Sequence, residues 1–256
     1  MKSVKDYHPE IYWTEVGKKI KSRKETDNVI AGDDEPYYRY KREQFLNLLK
    51  EVDFNQKSVL EIGCGPGGNL VELSNLKPRK LVGVDISDQM VELAQSKKLP
   101  NVEILKVNGT RLPFADKTFD IVFSATVLQH NTDEPMLSAL IQEMCRVSAK
   151  QVFLFERIET EITGDELCLG RPVPYYESFM NRHGFSLAAQ KFINIRVSYY
   201  WAGMIRKGLN SSSRQEGEPL NWISTTLQSV FLPITKILDK LFTSEKDIAK
   251  LEFKRR

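Results

Sequence analysis

The feature that most restricts this chain lies at residues 58–68, where the largely apolar run Ser58–Ile62 breaks into Gly63-Cys64-Gly65-Pro66-Gly67-Gly68 and a helical pattern starts at once. Glycines in such a turn allow positive φ and let a ligand lie against bare backbone, while free N–H groups at the following helix start favour a carboxylate or phosphate. A strand feeding a helix through this kind of turn is the opening unit of an open α/β sheet, whose ligands bind at the carboxyl ends of the strands.

Four further short runs rich in Val, Ile, Leu and Phe follow, at Lys80–Asp85, Val102–Val107, Phe119–Ser124 and Val152–Glu156. Between the strands the pattern predicts helices over Gly68–Leu76, over Ser87–Ser96 with Ser87 as N-cap, and over Thr132–Val147, which puts Met136, Leu137, Leu140, Ile141 and Met144 on one face. Alternation of this kind predicts a parallel sheet with helices on both faces. Beyond Glu156 a helix over Pro174–His183 is stopped by Gly184, and two strand-like runs, Phe185–Phe192 and Ile195–Trp201, flank Asn194. The expected fold is α/β: a doubly wound, seven-stranded, mostly parallel sheet with an antiparallel C-terminal hairpin.

Flanking segments extend this core. Residues 1–38 are polar and rich in Lys and Tyr, with a short helix over Tyr12–Ile20, and read as an N-terminal arm or lid. The sheet domain is expected over 39–209, entered by a helix from Arg39 to Asp53 that carries Phe45, Leu48, Leu49 and Val52 on one face. Residues 210–256 form the C-terminal extension: a Ser/Glu/Gly linker over Asn210–Pro219, then an amphipathic segment with Ile223, Leu227, Val230, Ile234, Ile237 and Leu241 on one side and Pro233 to kink it. With Lys254-Arg255-Arg256 behind it, residues 219–242 are open to three readings: packing on their own domain, a homodimer contact, or a peripheral membrane contact.

Composition narrows the partners. The 37 basic and 34 acidic residues leave a net charge of +3, too balanced to draw nucleic acid by long-range attraction, so no nucleic-acid partner is expected. Cys64, Cys145 and Cys168 form no CxxC pair and no metal-ligand spacing with the three histidines, which points to no metal site and a reducing, cytoplasmic setting. MKSVKDYHPE at the start has no apolar run of a signal peptide, and no stretch is apolar over the length of a bilayer span.

Gly63, Gly65 and Gly68 also satisfy G-x-G-x-x-G, so the turn alone leaves a dinucleotide site open. Asp85 follows Gly63 by 22 residues at the end of the second strand, where a carboxylate can accept hydrogen bonds from both ribose hydroxyls, which points to a nucleoside ligand.

At this point the chain resembles the class I S-adenosylmethionine-dependent methyltransferases. Their first motif, an acidic residue followed by x-G-x-G-x-G, is matched by Glu61, Gly63, Gly65 and Gly67. Val107-Asn108-Gly109-Thr110-Arg111-Leu112-Pro113-Phe114 is similar to the segment after their third strand, with Asn108 in place of the usual Asp. Phe119–Ser124 followed by Val127-Leu128-Gln129-His130 is similar to their fourth strand and its exit loop, and the resemblance covers residues 45–156. It implies S-adenosyl-L-methionine as methyl donor, with S-adenosyl-L-homocysteine as product, held by Glu61, Gly63, Cys64, Gly65, Gly67, Asp85, Ile86, Asn108, Gly109 and Thr110.

His130 is the candidate general base, since an imidazole titrates near neutral pH; a helix-capping or loop-filling role is the plain alternative. Tyr37, Tyr38 and Arg39 in the run Asp33–Lys41 are candidates to close over donor and acceptor, and Tyr175 and Tyr176, with Tyr199, Tyr200 and Trp201, are candidates for the acceptor pocket. Cys64 reads as a small turn residue and not as a nucleophile. The expected activity is methyl transfer to an oxygen or nitrogen of a small-molecule acceptor, with a saccharide intermediate as the candidate. Two other readings remain: a nucleic-acid or protein methyltransferase, for which neither an Asn/Asp-Pro-Pro-aromatic nor a Pro-Cys motif is present, and an NAD-dependent oxidoreductase, which leaves Asn108–Phe114 unexplained.

Overall fold

The computed structural model of the protein describes residues 8–22, 35–211 and 220–256. Asp33 and Asp34 of the expected lid, and the linker beyond Ser211, lie outside the described residues.

Helices α1 (Pro9–Lys21) and α2 (Pro36–Lys50) precede the alternating unit β1 (Ser58–Ile62), α3 (Gly68–Ser74), β2 (Lys80–Asp85), α4 (Asp88–Ser96), β3 (Val102–Lys106), β4 (Phe119–Ala125), α5 (Glu134–Val147) and β5 (Ser148–Ile158). A small pair, β6 (Thr163–Gly164) and β7 (Leu169–Gly170), leads to α6 (Val173–Arg182), β8 (Phe185–Phe192), α7 (Arg196–Leu209), α8 (Trp222–Leu241) and β9 (Asp247–Arg255). The main sheet has seven strands in the order β3-β2-β1-β4-β5-β9-β8, and β1 to β5 run parallel. Order reverses between β1 and β4, which opens a crevice at their carboxyl ends.

The period of two in the strands sorts their side chains into two cores. Val59, Leu81, Ile121 and Phe123 face a layer that holds Leu48 and Leu49 of α2, Leu70 and Leu73 of α3, and Val91 of α4. Leu60, Val82, Val122 and Leu154 face the other layer, with Leu137, Leu140, Ile141 and Met144 of α5 and Tyr176 and Met180 of α6. Ser87 caps α4 by accepting from Met90 N, as expected, whereas α5 starts two residues later than its pattern suggests because Asp133 caps it through Met136 N.

The antiparallel element exists, but its second strand is different from the one expected. β8 pairs with β9, from the far end of the chain, and β9 also pairs antiparallel with β5. Residues 247–255 therefore complete the sheet, and the sheet domain does not end at 209. In Asp247–Arg255, Ala249, Leu251 and Phe253 are buried while Lys250, Glu252 and Lys254 alternate with them, a period-two pattern inside what looked like a basic tail. Ile195–Trp201 is helix instead of strand: α7 buries Ser198 and Ala202, four residues apart, and the Asp239 carboxylate holds its first turn by accepting from Val197 N at 2.7 Å and Ser198 N at 3.2 Å.

Candidate active site

A cavity of about 900 Å³ opens over the crevice. Its floor is the strand ends: Ile62, Gly63 and Gly65 after β1, Asp85 and Ile86 after β2, Val107 and Gly109 after β3, and Ala125–Val127, Gln129 and His130 after β4. Its roof comes from Tyr12 and Trp13 of α1, from Tyr38, Lys41, Arg42 and Phe45 of α2, and from Arg196, Tyr199, Tyr200 and Arg206 of α7.

The glycine turn is shaped as its sequence requires. Gly63 and Gly65 take φ of +66° and +52°; a Cβ on Gly63 would collide with the Val127 side chain, whereas one on Gly65 would enter open space. Asp85 is fixed at the rim, accepting from Gly65 N at 2.8 Å and from Ser87 N at 2.9 Å. Burial pushes the Asp85 carboxyl up from its ordinary value, and these amide bonds pull it back.

Behind the turn, Glu61 is fully buried and accepts from Asn69 Nδ2 at 2.6 Å, and Asn69 Oδ1 accepts from Arg42. Glu61 Oε2 is buried with no hydrogen-bond partner. Burial outweighs Asn69 and Arg42 and pushes this carboxyl up to about 8. Cys64 is buried and packs on Gly83; burial holds its thiol well above the usual range, which fits a turn residue. Gly67 is the N-cap of α3, and Thr110 donates its N–H and hydroxyl to Asn108 Oδ1. Cys64, Gly67 and Thr110 shape loops and do not face the cavity. Asn108 is exposed in an adjoining shallow cleft with its carbonyl already bonded to the amides of Thr110 and Arg111, while Gly109 does reach the cavity.

The loop after β4 is held from two sides. Beneath it, the buried Glu156 accepts from Ser124 Oγ at 2.8 Å, Val127 N at 3.2 Å and Gln129 N at 3.2 Å. Arg171, fully buried, donates to the carbonyls of Leu128 and Asn131 at 3.0 Å each and pairs with Glu134 at 3.1 Å. His130, carried on this loop, has Nδ1 2.8 Å from the Leu167 carbonyl and Nε2 3.2 Å from Gln129 Nε2. A carbonyl only accepts, so Nδ1 carries the proton and Nε2 presents its lone pair to the Gln129 amide. Trp13 of α1 meets the imidazole edge-on at 5.0 Å between ring centroids.

Several expected acceptor residues sit elsewhere. Tyr37 and Tyr176 are core side chains, 1% and 0% exposed. Tyr175 does not line the cavity; it donates to Glu134 and stacks on the Arg171 guanidinium, so it supports the His130 loop from behind. Arg39 is exposed and does not line the cavity; the arginine of α2 that does is Arg42. Trp201 packs against Phe231, whereas Tyr38, Tyr199 and Tyr200 do line the cavity. A signal for the α2 face was available, since Tyr38, Lys41, Arg42 and Phe45 fall at i, i+3, i+4 and i+7. Tyr12, Trp13, Asn69, Gln129 and Arg157 enter the site through tertiary packing that no local pattern marks.

Residues 59–151 match the methyltransferase domain family. The chain is 28% identical over 120 residues to the O-methyltransferase cnsE of Penicillium expansum, which takes in 45% of this chain and 41% of that protein. It is 33% identical over 76 residues to the phthiotriol/phenolphthiotriol dimycocerosates methyltransferase of Mycobacterium tuberculosis, 29% of this chain and 28% of the relative. The chain thus spans less than half the length of these curated relatives. Among solved structures, magnesium protoporphyrin IX methyltransferase from Synechocystis PCC 6803 with bound S-adenosylmethionine superposes with a TM-score of 0.60 at 15% identity, covering 96% of this chain and 95% of that one. The [4+2]-cyclase SpnF superposes at 0.58 with 16% identity, covering 84% and 80%, so the architecture is shared beyond one chemistry. The strand order and these superpositions give the chain the Rossmann-like fold of methyltransferases, and residues 59–151 carry the match to the methyltransferase domain family.

Proposed function

We propose that the protein transfers a methyl group from S-adenosylmethionine to an oxygen or nitrogen of a small-molecule acceptor. The observation that carries this reading is one continuous cavity that joins the glycine turn and Asp85 to His130 and the tyrosines of α2 and α7. The residues fit the donor: the space beside Gly65 would be filled by any side chain, and Asp85 sets its carboxylate at the cavity rim beside it. Asp85 would hold the ribose hydroxyls, Gly63 and Gly65 the amino-acid moiety, and Ile86 and Gly109 the adenine. When bound, the donor supplies an electrophilic methyl for in-line displacement.

The chain's own residues then align the acceptor, exclude water and take a proton. Trp13, Tyr38, Tyr199 and Tyr200 close the chamber with aromatic faces. His130 Nε2 is the available base; an acceptor hydroxyl or ammonium would replace the Gln129 amide as its partner. The O-methyltransferase name of a relative favours oxygen over nitrogen. A saccharide suits tyrosine faces with hydroxyl tips, and no other feature selects it.

Calorimetric titration with S-adenosylmethionine, S-adenosylhomocysteine and NAD in parallel is the test. Binding of the first two without NAD is expected; binding of NAD alone would overturn the reading. With an acceptor in hand, His130→Ala should leave donor binding unchanged and slow transfer by about 10²- to 10⁴-fold. Unaltered turnover would remove His130 from the chemistry.

A further inference from the structure

Fourteen large hydrophobic side chains are exposed on the described residues, and twelve of them lie between Tyr199 and Phe242. Six of the twelve lie on α8 and five on α7. Helix α8 buries Ser224, Gln228, Thr235 and Asp239, and exposes Trp222, Val230, Ile234, Ile237 and Leu241. The buried polar stripe is bonded to the protein: Asn210 Nδ2 donates to Ser224 Oγ at 3.1 Å, Gln228 Nε2 to the buried Glu35 at 2.8 Å, and Ser198 Oγ to Asp239 at 2.5 Å. An amphipathic helix on a water-soluble surface is normally turned the other way, and a contiguous exposed apolar face marks a contact site.

Charge selects the occupant. The charged residues of α7 and α8 are Arg196, Arg206, Lys207, Lys236, Lys240 and Asp239. Asp239 is buried, Arg206 pairs with the buried Glu35 and Lys236 with Glu43 of α2, so the exposed charges the two helices themselves present, Arg196, Lys207 and Lys240, are all cationic. A second copy laid on this face would set the same cationic rim against itself, whereas a bilayer with anionic lipids takes both the apolar stripe and the cations. None of the described helices is long and apolar enough to cross a membrane.

We propose that α7 and α8 dock on an anionic lipid bilayer, with the apolar stripe of α8 in the headgroup region and Lys207 and Lys240 against lipid phosphates. Arg196, Tyr199 and Tyr200 of α7 also line the cavity, so docking brings its mouth to the lipid layer. The docking stands on the surface alone; its consequence, an amphiphilic acceptor entering from the bilayer, rests on the methyltransferase reading.

The test is flotation of the purified full-length protein with vesicles of phosphatidylcholine alone and with vesicles of equal parts phosphatidylcholine and phosphatidylglycerol, at low and high salt. Partition onto the second kind only, weakened by salt, is expected. The triple variant Ile234→Ser, Ile237→Ser, Leu241→Ser and the double variant Lys207→Glu, Lys240→Glu should each lower that partition by at least about tenfold. Both should melt at the wild-type temperature and bind S-adenosylmethionine as wild type does, which separates a lost surface from a lost fold. No partition onto anionic vesicles, partition the variants do not change, or a stable dimer in sedimentation velocity that the triple variant dissolves would each overturn the proposal. Vesicle binding by a protein that fails to bind S-adenosylmethionine would sink the functional reading and leave the docking intact.

Discussion

Helices α5 and α8 are both amphipathic, and they are turned opposite ways. α5 buries Leu137, Leu140, Ile141 and Met144 against the sheet, so water expelled from apolar surface holds it in place. α8 buries a serine, a glutamine, a threonine and an aspartate, and among its apolar residues Leu232 packs against the core cluster on that face of the sheet. Hydrogen bonds whose partners would otherwise be stranded hold α8 instead. The lesson is that amphipathicity fixes the existence of a helix, while the chemistry across from it decides which side faces in.

The largest effects should come from cutting each helix's own anchor. Ile141→Ala removes buried methyl groups and should cost about 2–5 kcal/mol. Asp239→Ala strands Val197 N and Ser198 N, leaves the Ser198 hydroxyl only Thr235 Oγ1 as acceptor, and should cost about 2–4 kcal/mol. Urea titration of both variants, with unchanged slope, reads these losses from the midpoints. A cost below about 1 kcal/mol for Asp239→Ala would break the comparison, because α8 would then be held by something other than its polar stripe.

Buried carboxyls extend the contrast. Asp239 takes three donors, whereas Glu61 takes one and keeps Oε2 without a partner. Burial raises Glu61 from its ordinary 4.5 to about 8, so between those values the folded state binds more protons than the unfolded one. Its contribution is therefore fully present below about 4.5 and is lost as pH rises through about 8. Glu61→Gln, which keeps the shape and removes the titration, should flatten the fall in stability over that window by a few kcal/mol at most. Melting temperatures measured from pH 5 to pH 8 would show it, and parallel curves for wild type and variant would place the Glu61 proton elsewhere.

The same contrast explains how far the sequence could be read. Strands β1 to β5, helices α3 to α5, the positive-φ glycines and Asp85 were all legible, because each depends on local pattern or on a turn that only glycine tolerates. α7 was not, since Tyr199, Tyr200 and Trp201 look like a strand and the residues that fix the helix, Ser198 and Asp239, are 41 positions apart. β9 was missed for a related reason: Lys250, Glu252 and Lys254 hid the alternation of Ala249, Leu251 and Phe253. In the site, Tyr175 and Arg171 support the His130 loop through Glu134, a relation between three elements that spacing cannot encode.

The smallest effect is the most discriminating. Ile237 is 62% exposed on α8, while Ile141 is fully buried on α5. Ile237→Ser should therefore change stability in water by no more than about 0.5 kcal/mol, against the several expected for Ile141→Ala. Two isoleucines on amphipathic helices of one chain would then differ because one side chain leaves water on folding and the other does not. A loss above about 1 kcal/mol at Ile237 would mean that this face is already covered in the free protein, and the inverted orientation of α8 would have to be given up.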